Sequence, residues 1–249
     1  MNSQLESSLH TLESLLTWAT ADADCQADNF CSRAIEVLRE WDGLAMYDSV
    51  GALLFDRWRA TAVGGPGTGA ANWEVPFNLA DPIETPRGIA PLAAAAAVAA
   101  LGRVAREMEE EDGQPLTMAW GEFKKLPLDK NGIEWGVSGT QDDSVRNSHT
   151  SRRPAIPGAT DTGFAGGTFK SVNEFVPGGA SWGRAAVQTA YGSQTMRGAA
   201  HNSDQWEIYS RNQYRTALLD RADIEAAAER WVTLSYAWPG RSNEQPSAV

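Results

Sequence analysis

The chain has 249 residues, of which 42% are hydrophobic and 21% are charged, and this composition is typical of a globular protein. Ten Trp, seven Phe and five Tyr exclude a chain that is disordered throughout. A net charge of −11 argues against a nucleic-acid-binding protein, which needs a clustered basic face. The longest weakly polar run, Gly88–Leu101, is mostly alanine and is shorter than the about 20 residues that a membrane-spanning helix needs.

The two ends of the sequence are polar. The opening MNSQLESSLH has neither a basic region nor an apolar one, which predicts no signal peptide at this start. Residues 1–239 are predicted to form one folded unit, and residues 240–249 a disordered tail. No repeat with a period of 20–50 residues is visible, so a solenoid is not expected.

Residues 1–112 are predicted to be helical. Leucines recur at three- and four-residue steps and form one apolar stripe on a first helix, at Leu5, Leu9, Leu12, Leu15 and Leu16. The acidic stretch 19–29 is expected to break this helix, and a second helix is predicted from about Phe30 to Trp41. A third starts near Asp48, and a long Ala-rich helix is predicted from about Ile89 to Glu111.

Four acidic residues, Glu109–Asp112, close the Ala-rich helix. Negative charge at a helix C-terminus opposes the helix dipole. We therefore expect either fraying of this last turn or basic side chains packed against it.

Residues 113–200 are predicted to be rich in strands and loops, and residues 201–236 to return to helix. Period-2 alternation predicts three strands, at 132–138, 166–176 and 185–191. The polar, proline-broken stretch 140–163 is expected to be a long surface loop. Amphipathic patterns predict two terminal helices, at 203–219 and 222–234. The predicted fold class is therefore α+β.

Gly179–Gly183 matches the G-x-S-x-G pattern of a nucleophilic serine, here Ser181. That chemistry needs the serine on a sharp turn between a strand and a following helix. Here glycines precede Ser181 and a predicted strand follows it, so the flanks are reversed. A simple glycine turn is the favoured interpretation.

Other polar groups have weaker signals. His201 and Asp204 are spaced for an acid/base pair, although a local helix cap and polar contact is the favoured interpretation. Asp142 and Asp143 are too few for calcium, which takes six to eight oxygen ligands, and are expected to be solvated. The tryptophans suggest an aromatic ligand platform, but core packing accounts for five of them, at positions Trp18, Trp41, Trp58, Trp206 and Trp231.

Two cysteines, Cys25 and Cys31, flank the first predicted interhelical loop. Neither C-x-x-C nor H-x-x-x-H occurs in the chain, so a structural zinc site is not expected. In a reducing compartment the two would be ordinary thiols, and in an exported protein they could form a disulfide. The residues alone leave both alternatives open.

A set of short motifs carries more information in its order than any single motif does. The set runs Trp41-Asp42-Gly43, Asp48–Phe55, Trp58, Val75-Pro76-Phe77, Asp81-Pro82, Thr85–Gly88, Trp120-Gly121-Glu122, Gly166-Gly167-Thr168, Tyr191-Gly192, His201 and Asp204-Gln205. This succession resembles the C-terminal part of the penicillin amidase family, in the branch of aculeacin-type and acyl-homoserine-lactone acylases. Gly192–Thr195 and Ala199–Asn202 depart from the family pattern, so no role is carried over to them.

The resemblance implies an N-terminal nucleophile hydrolase with a four-layer αββα sandwich, of which this chain would be the C-terminal part. In such enzymes a precursor cleaves itself, and the new terminal residue, usually serine, uses its own α-amine as the base. Backbone N–H groups and an asparagine form the oxyanion hole. The implied reaction is hydrolysis of a linear amide between an acyl chain and an amine, as in penicillins, acyl-homoserine lactones or lipopeptides.

The same resemblance assigns no catalytic residue, cofactor or metal ligand to this chain. In the family the nucleophile, the oxyanion asparagine and the calcium ligands precede the segment that corresponds to Trp41–Gly43. None of the internal Gly-Ser or Gly-Thr steps is followed by enough family sequence to be a processing site. The chain alone is therefore expected to be inactive, with the missing N-terminal portion of the acylase as its partner.

Three hypotheses follow from the resemblance. The chain is the C-terminal piece of an acylase, a separately encoded subunit that completes one, or a binding or structural domain without chemistry. Family precursors are periplasmic or secreted, and that location favours a disulfide between Cys25 and Cys31.

Overall fold

The computed structural model describes most of the chain, at residues 3–62, 72–82, 84–139, 169–175, 182–190, 192–194, 196, 198–228 and 231–233. The loop expected over 140–163 and the tail expected over 240–249 lie outside these residues. The described residues combine helices with a small antiparallel sheet, which agrees with the predicted α+β class.

Eight α-helices and three strands occur in the described residues. The helices are α1 (Ser3–Ala21), α2 (Ala23–Ala27), α3 (Asn29–Glu40), α4 (Ala52–Ala62), α5 (Pro91–Arg106), α6 (Trp120–Phe123), α7 (Trp206–Ser210) and α8 (Arg221–Ala227). A π-helical turn, Glu107–Glu111, extends α5. The strands are β1 (Phe169–Phe175), β2 (Trp182–Thr189) and β3 (Arg215–Ala217).

The core of the helical part is built around α5, which packs against α1, α3 and α4. Leu15, Leu38 and Leu54 are fully buried there, one from each of the three surrounding helices. Trp58 is also fully buried, and its indole N–H donates to the carbonyl of Ala97 at 2.8 Å. Across the described residues, no helix has the length and hydropathy required to cross a bilayer.

The acidic stretch that was expected only to break the first helix contains the short helix α2. The Asp22 carboxylate accepts a hydrogen bond from the backbone N–H of Cys25 and so caps α2. Asp28 caps α3 in the same way, accepting from the N–H groups of Phe30 and Cys31. Aspartates at these two positions stabilise two successive helix starts, so the chain restarts as helix twice within the predicted break.

The acidic end of α5 has basic partners, as expected from the sequence. Both Nη atoms of Arg33 donate to the carboxylate of Glu109, and the distance from Nη1 to Oε2 is 2.8 Å. The carboxylate of Asp112 lies 2.6 Å from Nη1 of Arg57. These arginines offset the unfavourable position of negative charge beside the helix C-terminus.

The strand predicted at 132–138 is wrong. Only an isolated bridge between Lys125 and Gly136 occurs there. Ile133 is instead held in a turn, because its N–H donates to Oδ1 of Asp129 at 2.8 Å. Gly136 lies against Gly121 of α6 so closely that an added Cβ would lie 2.6 Å from the carbonyl oxygen of Gly121. This segment therefore packs on a helix and does not extend a sheet.

The predicted strands at 166–176 and 185–191 are present as β1 and β2, which pair in antiparallel register with Val172 opposite Ala186. β3 joins the other edge of β2, giving the order β1-β2-β3. Lys170 of β1 points to the face that carries α7, since its Nζ lies 5.4 Å from the ring centroid of Tyr209.

The helix predicted at 203–219 is wrong over its second half, so residues 201–236 are not wholly helical. α7 ends at Ser210, and Asn212 follows with a φ of +51°, a left-handed conformation that asparagine tolerates and that stops a helix. Arg215–Ala217 then pair with β2. α8 covers part of the second predicted helix, and none of its residues is buried.

Candidate functional site

The motif residues of the first half lie at packing junctions. Trp41 packs against Phe55 with ring centroids 4.9 Å apart and the ring planes tilted by 45°. Gly51 has a φ of +96°, and an added Cβ would lie 2.8 Å from Cβ of Trp41. Only glycine fits this turn without strain, because both its conformation and the adjacent indole exclude a side chain. This close contact thus joins Trp41 of the Trp-Asp-Gly motif to Gly51 of the Asp-Ser-Val-Gly motif.

Gly121 forms a second junction of motif residues. Its N–H donates to the carbonyl of Tyr47 at 2.7 Å, and the neighbouring Trp120 N–H donates to Ser49 at 2.9 Å. An added Cβ on Gly121 would lie 2.5 Å from the carbonyl oxygen of Tyr47. The Trp-Gly-Glu motif therefore brings α6 into backbone contact with the loop before α4.

His201 and Asp204 come together as the sequence suggested. Nδ1 of His201 lies 2.7 Å from Oδ2 of Asp204, and the imidazole is 59% exposed. The carboxylate does not cap α7, whose N-cap is Gln205 and has no side-chain capping bond. The pair is therefore a side-chain contact that orients the imidazole, which is one requirement for acid/base work.

Sequence reasoning missed the third member of this network, Lys130. Its Nζ donates to Oδ1 of Asp204 at 2.7 Å and to the carbonyl of Ala200 at 2.9 Å. Hydrogen bonds from Lys130 and then from His201 hold the pKa of Asp204 below its usual value. Lys130 is 70 or more residues away along the chain, so no local spacing could have indicated this contact.

Asp129, the neighbour of Lys130, fixes the turn that presents that lysine. Its carboxylate accepts from the N–H groups of Asn131 and Ile133 and from the indole of Trp135. Desolvation acts to raise the pKa of Asp129, but these hydrogen bonds, with the nearby Lys130 cation, outweigh it and the pKa is lowered. The lysine is thereby held beside Asp204 by a rigid turn.

The cysteines form a second candidate site. Sγ atoms of Cys25 and Cys31 are 1.98 Å apart, so the two residues are joined in the structure. They line a half-open groove of about 400 Å³ between the α2–α3 junction and α5. Asp22, Asp24 and Asp28 form one wall, and Arg103 and Arg106 lie opposite. Oδ2 of Asp28 is paired with Arg106 at 2.8 Å across the groove.

The tryptophan expectation is confirmed for three residues and wrong for two. Trp58 and Trp206 are buried, and Trp41 packs against the helical core. Trp18 is 37% exposed and Trp231 is 67% exposed, so these two are not core residues.

Three sequence candidates lie outside the described residues. They are Ser181 of the G-x-S-x-G pattern and the adjacent acids Asp142 and Asp143. The residues that the structure does describe contain no group of three or more His, Cys, Asp or Glu side chains arranged to hold a metal ion.

An open sheet surface is the feature that sequence patterns did not indicate. Phe169 and Phe175 of β1 are 62% and 68% exposed and point to the face opposite α7. Val172, on the other face, is 61% exposed. Large apolar side chains left in solvent on a strand mark a surface for association. The alternation in this strand indicated which of its residues are apolar, but a local pattern does not indicate which element covers them.

The family comparison covers the two packing junctions, at Gly51 and at Gly121, and the small sheet. The penicillin amidase family model matches residues 1–226. The match spans all the motifs that carry the resemblance and all the helices of the core, together with the three strands. The chain therefore belongs to the penicillin amidase family.

Proposed function

We propose that the chain forms part of an acylase that hydrolyses a linear amide between an acyl chain and an amine. The observation that carries this proposal is the family match over residues 1–226. The motif succession favours the aculeacin and acyl-homoserine-lactone acylase branch, which is part of the proposal. Its substrates would be penicillins, acyl-homoserine lactones or lipopeptides.

In this proposal the chemistry is divided between two portions of polypeptide. A terminal serine with its own α-amine as base, and the donors of an oxyanion hole, come from the portion that precedes the Trp41–Gly43 motif in the family. This chain supplies helices and strands of the layered sandwich. Calcium, where the enzyme holds it, is bound by that other portion.

The open sheet supports the need for a partner. Phe169 and Phe175 of β1 are 62% and 68% exposed in the part of the chain that the structure describes. Burying an aromatic side chain is worth about 1.5–3 kcal/mol relative to exposure, so covering two of them favours association. The nucleophile-bearing portion of the acylase is the partner that we propose for this face.

The proposed location is outside the cytoplasm. The disulfide joins two cysteines that are 6 positions apart in the sequence. Disulfides persist in oxidising compartments. A precursor exported before self-cleavage fits this environment.

The first experiment is to sequence the DNA upstream of the Met1 codon. An in-frame extension with a signal peptide and a Gly-Ser processing step makes the chain the tail of an acylase precursor. A separate acylase reading frame beside it makes the chain a subunit. A stop codon directly before Met1 with no acylase frame alongside contradicts both and favours a non-catalytic domain.

The second experiment assays amide hydrolysis by the chain alone and by the chain co-expressed with the nucleophile-bearing portion. We expect co-purification and release of free amine only in the co-expressed sample. The variant Phe169→Ser/Phe175→Ser is expected to reduce co-purification, while Leu92→Ser, at a residue 99% exposed on α5, serves as the matched control. Equal hydrolysis by the chain alone would contradict the proposed division of the chemistry.

A further inference from the structure

Asn131 and Gly132 form the single Asn-Gly step of the chain, and the structure places this step in the exposed turn that follows Asp129. Gly132 has a φ of +76°, and an added Cβ there would meet no atom within 4 Å. The side-chain amide of Asn131 forms no hydrogen bond in the part of the chain that the structure describes. The amide is therefore able to turn toward the backbone nitrogen that follows it.

An asparagine followed by glycine can lose its side-chain amide without an enzyme. The backbone nitrogen of Gly132 attacks Cγ of Asn131, so that an N–Cγ bond forms, the Cγ–Nδ2 bond breaks, and ammonia leaves with the proton of the attacking nitrogen. Glycine favours this step because it has no Cβ to hinder the nitrogen. Water then opens the cyclic succinimide at either carbonyl, which gives an aspartyl or an iso-aspartyl residue. The reaction needs no oxidant or reductant.

We propose that Asn131 is a site of spontaneous deamidation, with water as the co-reactant, and that the iso-aspartyl product releases Lys130 from Asp204. An iso-aspartyl residue carries the main chain through its side-chain carbons, and the backbone becomes longer at that residue. It also has a carboxylate where asparagine has a neutral amide. The proposal rests on this turn and does not depend on the proposed acylase function.

The turn is closed by hydrogen bonds that span Asn131. The N–H of Asp129 donates to the carbonyl of Ile133 at 3.0 Å, and the N–H of Gly132 donates to the carbonyl of Asp129 at 3.1 Å. Oδ1 of Asp129 also accepts from the N–H groups of Asn131 and Ile133. A longer main chain between Asp129 and Ile133 therefore disturbs the hydrogen bonds that give the turn its shape.

Lys130 immediately precedes Asn131, so the shape of the turn determines where the lysine side chain lies. Its Nζ donates to Oδ1 of Asp204 at 2.7 Å and to the carbonyl of Ala200 at 2.9 Å. A carboxylate at position 131 adds a second anion beside Lys130, and this anion competes with Asp204 for the ammonium. The longer turn and the new anion act in the same direction, since both weaken the contact between Lys130 and Asp204.

One hydrogen bond of the turn opposes the reaction. The attacking nitrogen of Gly132 has to lose its proton, and this N–H is bound to the carbonyl of Asp129. Residues 130–134 are all exposed, however, and exposed hydrogen bonds open locally at low free energy. Because the nitrogen attacks after it is deprotonated, the reaction should be faster at alkaline pH.

Peptide mapping of the folded full chain, after incubation at mildly alkaline pH, tests the modification site. We expect the peptide that contains Asn131 to appear in aspartyl and iso-aspartyl forms, and an iso-aspartyl methyltransferase to label it. Asn202 is the internal control, because it precedes a serine, is only 6% exposed and donates from Nδ2 to the carbonyl of Gln194 at 3.0 Å. We expect Asn202 to stay intact. In the variant Asn131→Gln the longer side chain disfavours the cyclic intermediate, and we expect no labelling there.

Carboxyl NMR titration tests the release of Lys130. The hydrogen bond from Lys130 lowers the pKa of Asp204, so its loss should raise that pKa toward the ordinary value. The iso-aspartyl form is first separated from the unmodified chain by ion exchange. Asn131→Asp is the matched control, because it adds the carboxylate without lengthening the main chain. We expect a larger upward shift in the iso-aspartyl form than in Asn131→Asp, and melting temperatures check that both remain folded.

Three results would contradict the proposal. An Asn131 that stays intact in the folded chain, or that reacts no faster than Asn202, would overturn the modification site. An iso-aspartyl form in which Asp204 keeps the pKa of the unmodified chain would overturn the release of Lys130. Equal pKa shifts in the iso-aspartyl form and in Asn131→Asp would rule out the effect of the longer main chain.

Discussion

Arg57 of α4 binds Asp112 just beyond the π-helical turn, with Nη1 2.6 Å from Oδ2 and the Asp112 side chain only 3% exposed. Nη2 of the same guanidinium donates to Oε1 of Gln114 at 2.7 Å, and the group lies 5.3 Å from the ring centroid of Phe123. One arginine thereby connects α4, the end of the α5 extension and α6. The connection is buried, so its loss has a larger effect than loss of a surface ion pair.

Replacing Arg57 with methionine leaves the Asp112 carboxylate buried without its main cation. We expect Arg57→Met to lower the free energy of unfolding by about 3–5 kcal/mol, measured by urea denaturation. Arg33→Met is the matched control, because the Arg33 and Glu109 side chains are 43% and 21% exposed. Its expected effect is about 0–1 kcal/mol. Equal losses for the two variants would contradict this distinction.

The cysteine pair gives a second prediction. Protein recovered from an oxidising compartment should be two hydrogens lighter by intact mass than the same protein after reduction. We expect the double variant Cys25→Ser/Cys31→Ser to lose about 2.4 kcal/mol of unfolding free energy, the loop-entropy value for so short a ring. Identical masses before and after reduction would show that the bond does not form.

The pH dependence of the Lys130 network is a third prediction. The pKa of Asp204 is lowered in the folded state by Lys130 and His201, so the network stabilises the fold above the unfolded pKa of about 3.9. This contribution is lost as the pH falls through the lower, folded pKa. We expect Lys130→Met to raise the pKa of Asp204 toward its ordinary value.

Side-chain carboxyl NMR titration measures that change directly. Asp129 is the internal control, because hydrogen bonds from Ile133, Trp135 and Asn131 contribute more to lowering its pKa than the Lys130 cation does. An Asp204 pKa that does not respond to Lys130→Met would show that the lysine contact is not formed in solution.

The parts of the fold that follow from local patterns were predictable. The stripe that includes Leu12 and Leu15 predicted α1, and the alanine run predicted α5, since helix periodicity is a property of neighbouring residues. The alternation around Val172 predicted β1 for the same reason. The unfavourable placement of charge at a helix end predicted either fraying or basic partners, and the structure shows basic partners for Glu109 and Asp112.

The errors arise where distant contacts override local preference. Residues 203–219 have a helical pattern, but Asn212 stops the helix and pairing with β2 makes a strand of Arg215–Ala217. Residues 132–138 alternate like a strand, but they follow the turn at Asp129, form only an isolated bridge to Lys125, and pack through Gly136 against Gly121 of α6. In the candidate site, the His201–Asp204 pair was visible as a spacing, whereas Lys130 was not, because it comes from another part of the chain.

The helical core and the cluster behind the sheet differ greatly in size. The larger cluster joins α1, α3, α4, α5 and α6, whereas the smaller consists mainly of Leu126, Val137, Ala190, Trp206 and Tyr209. Amide protons of α5 should therefore exchange with solvent only on global unfolding, while those of β1 and β2 should exchange through local openings of lower free energy. Limited proteolysis should accordingly trim the chain from the sheet side and leave a resistant helical fragment that ends near α6.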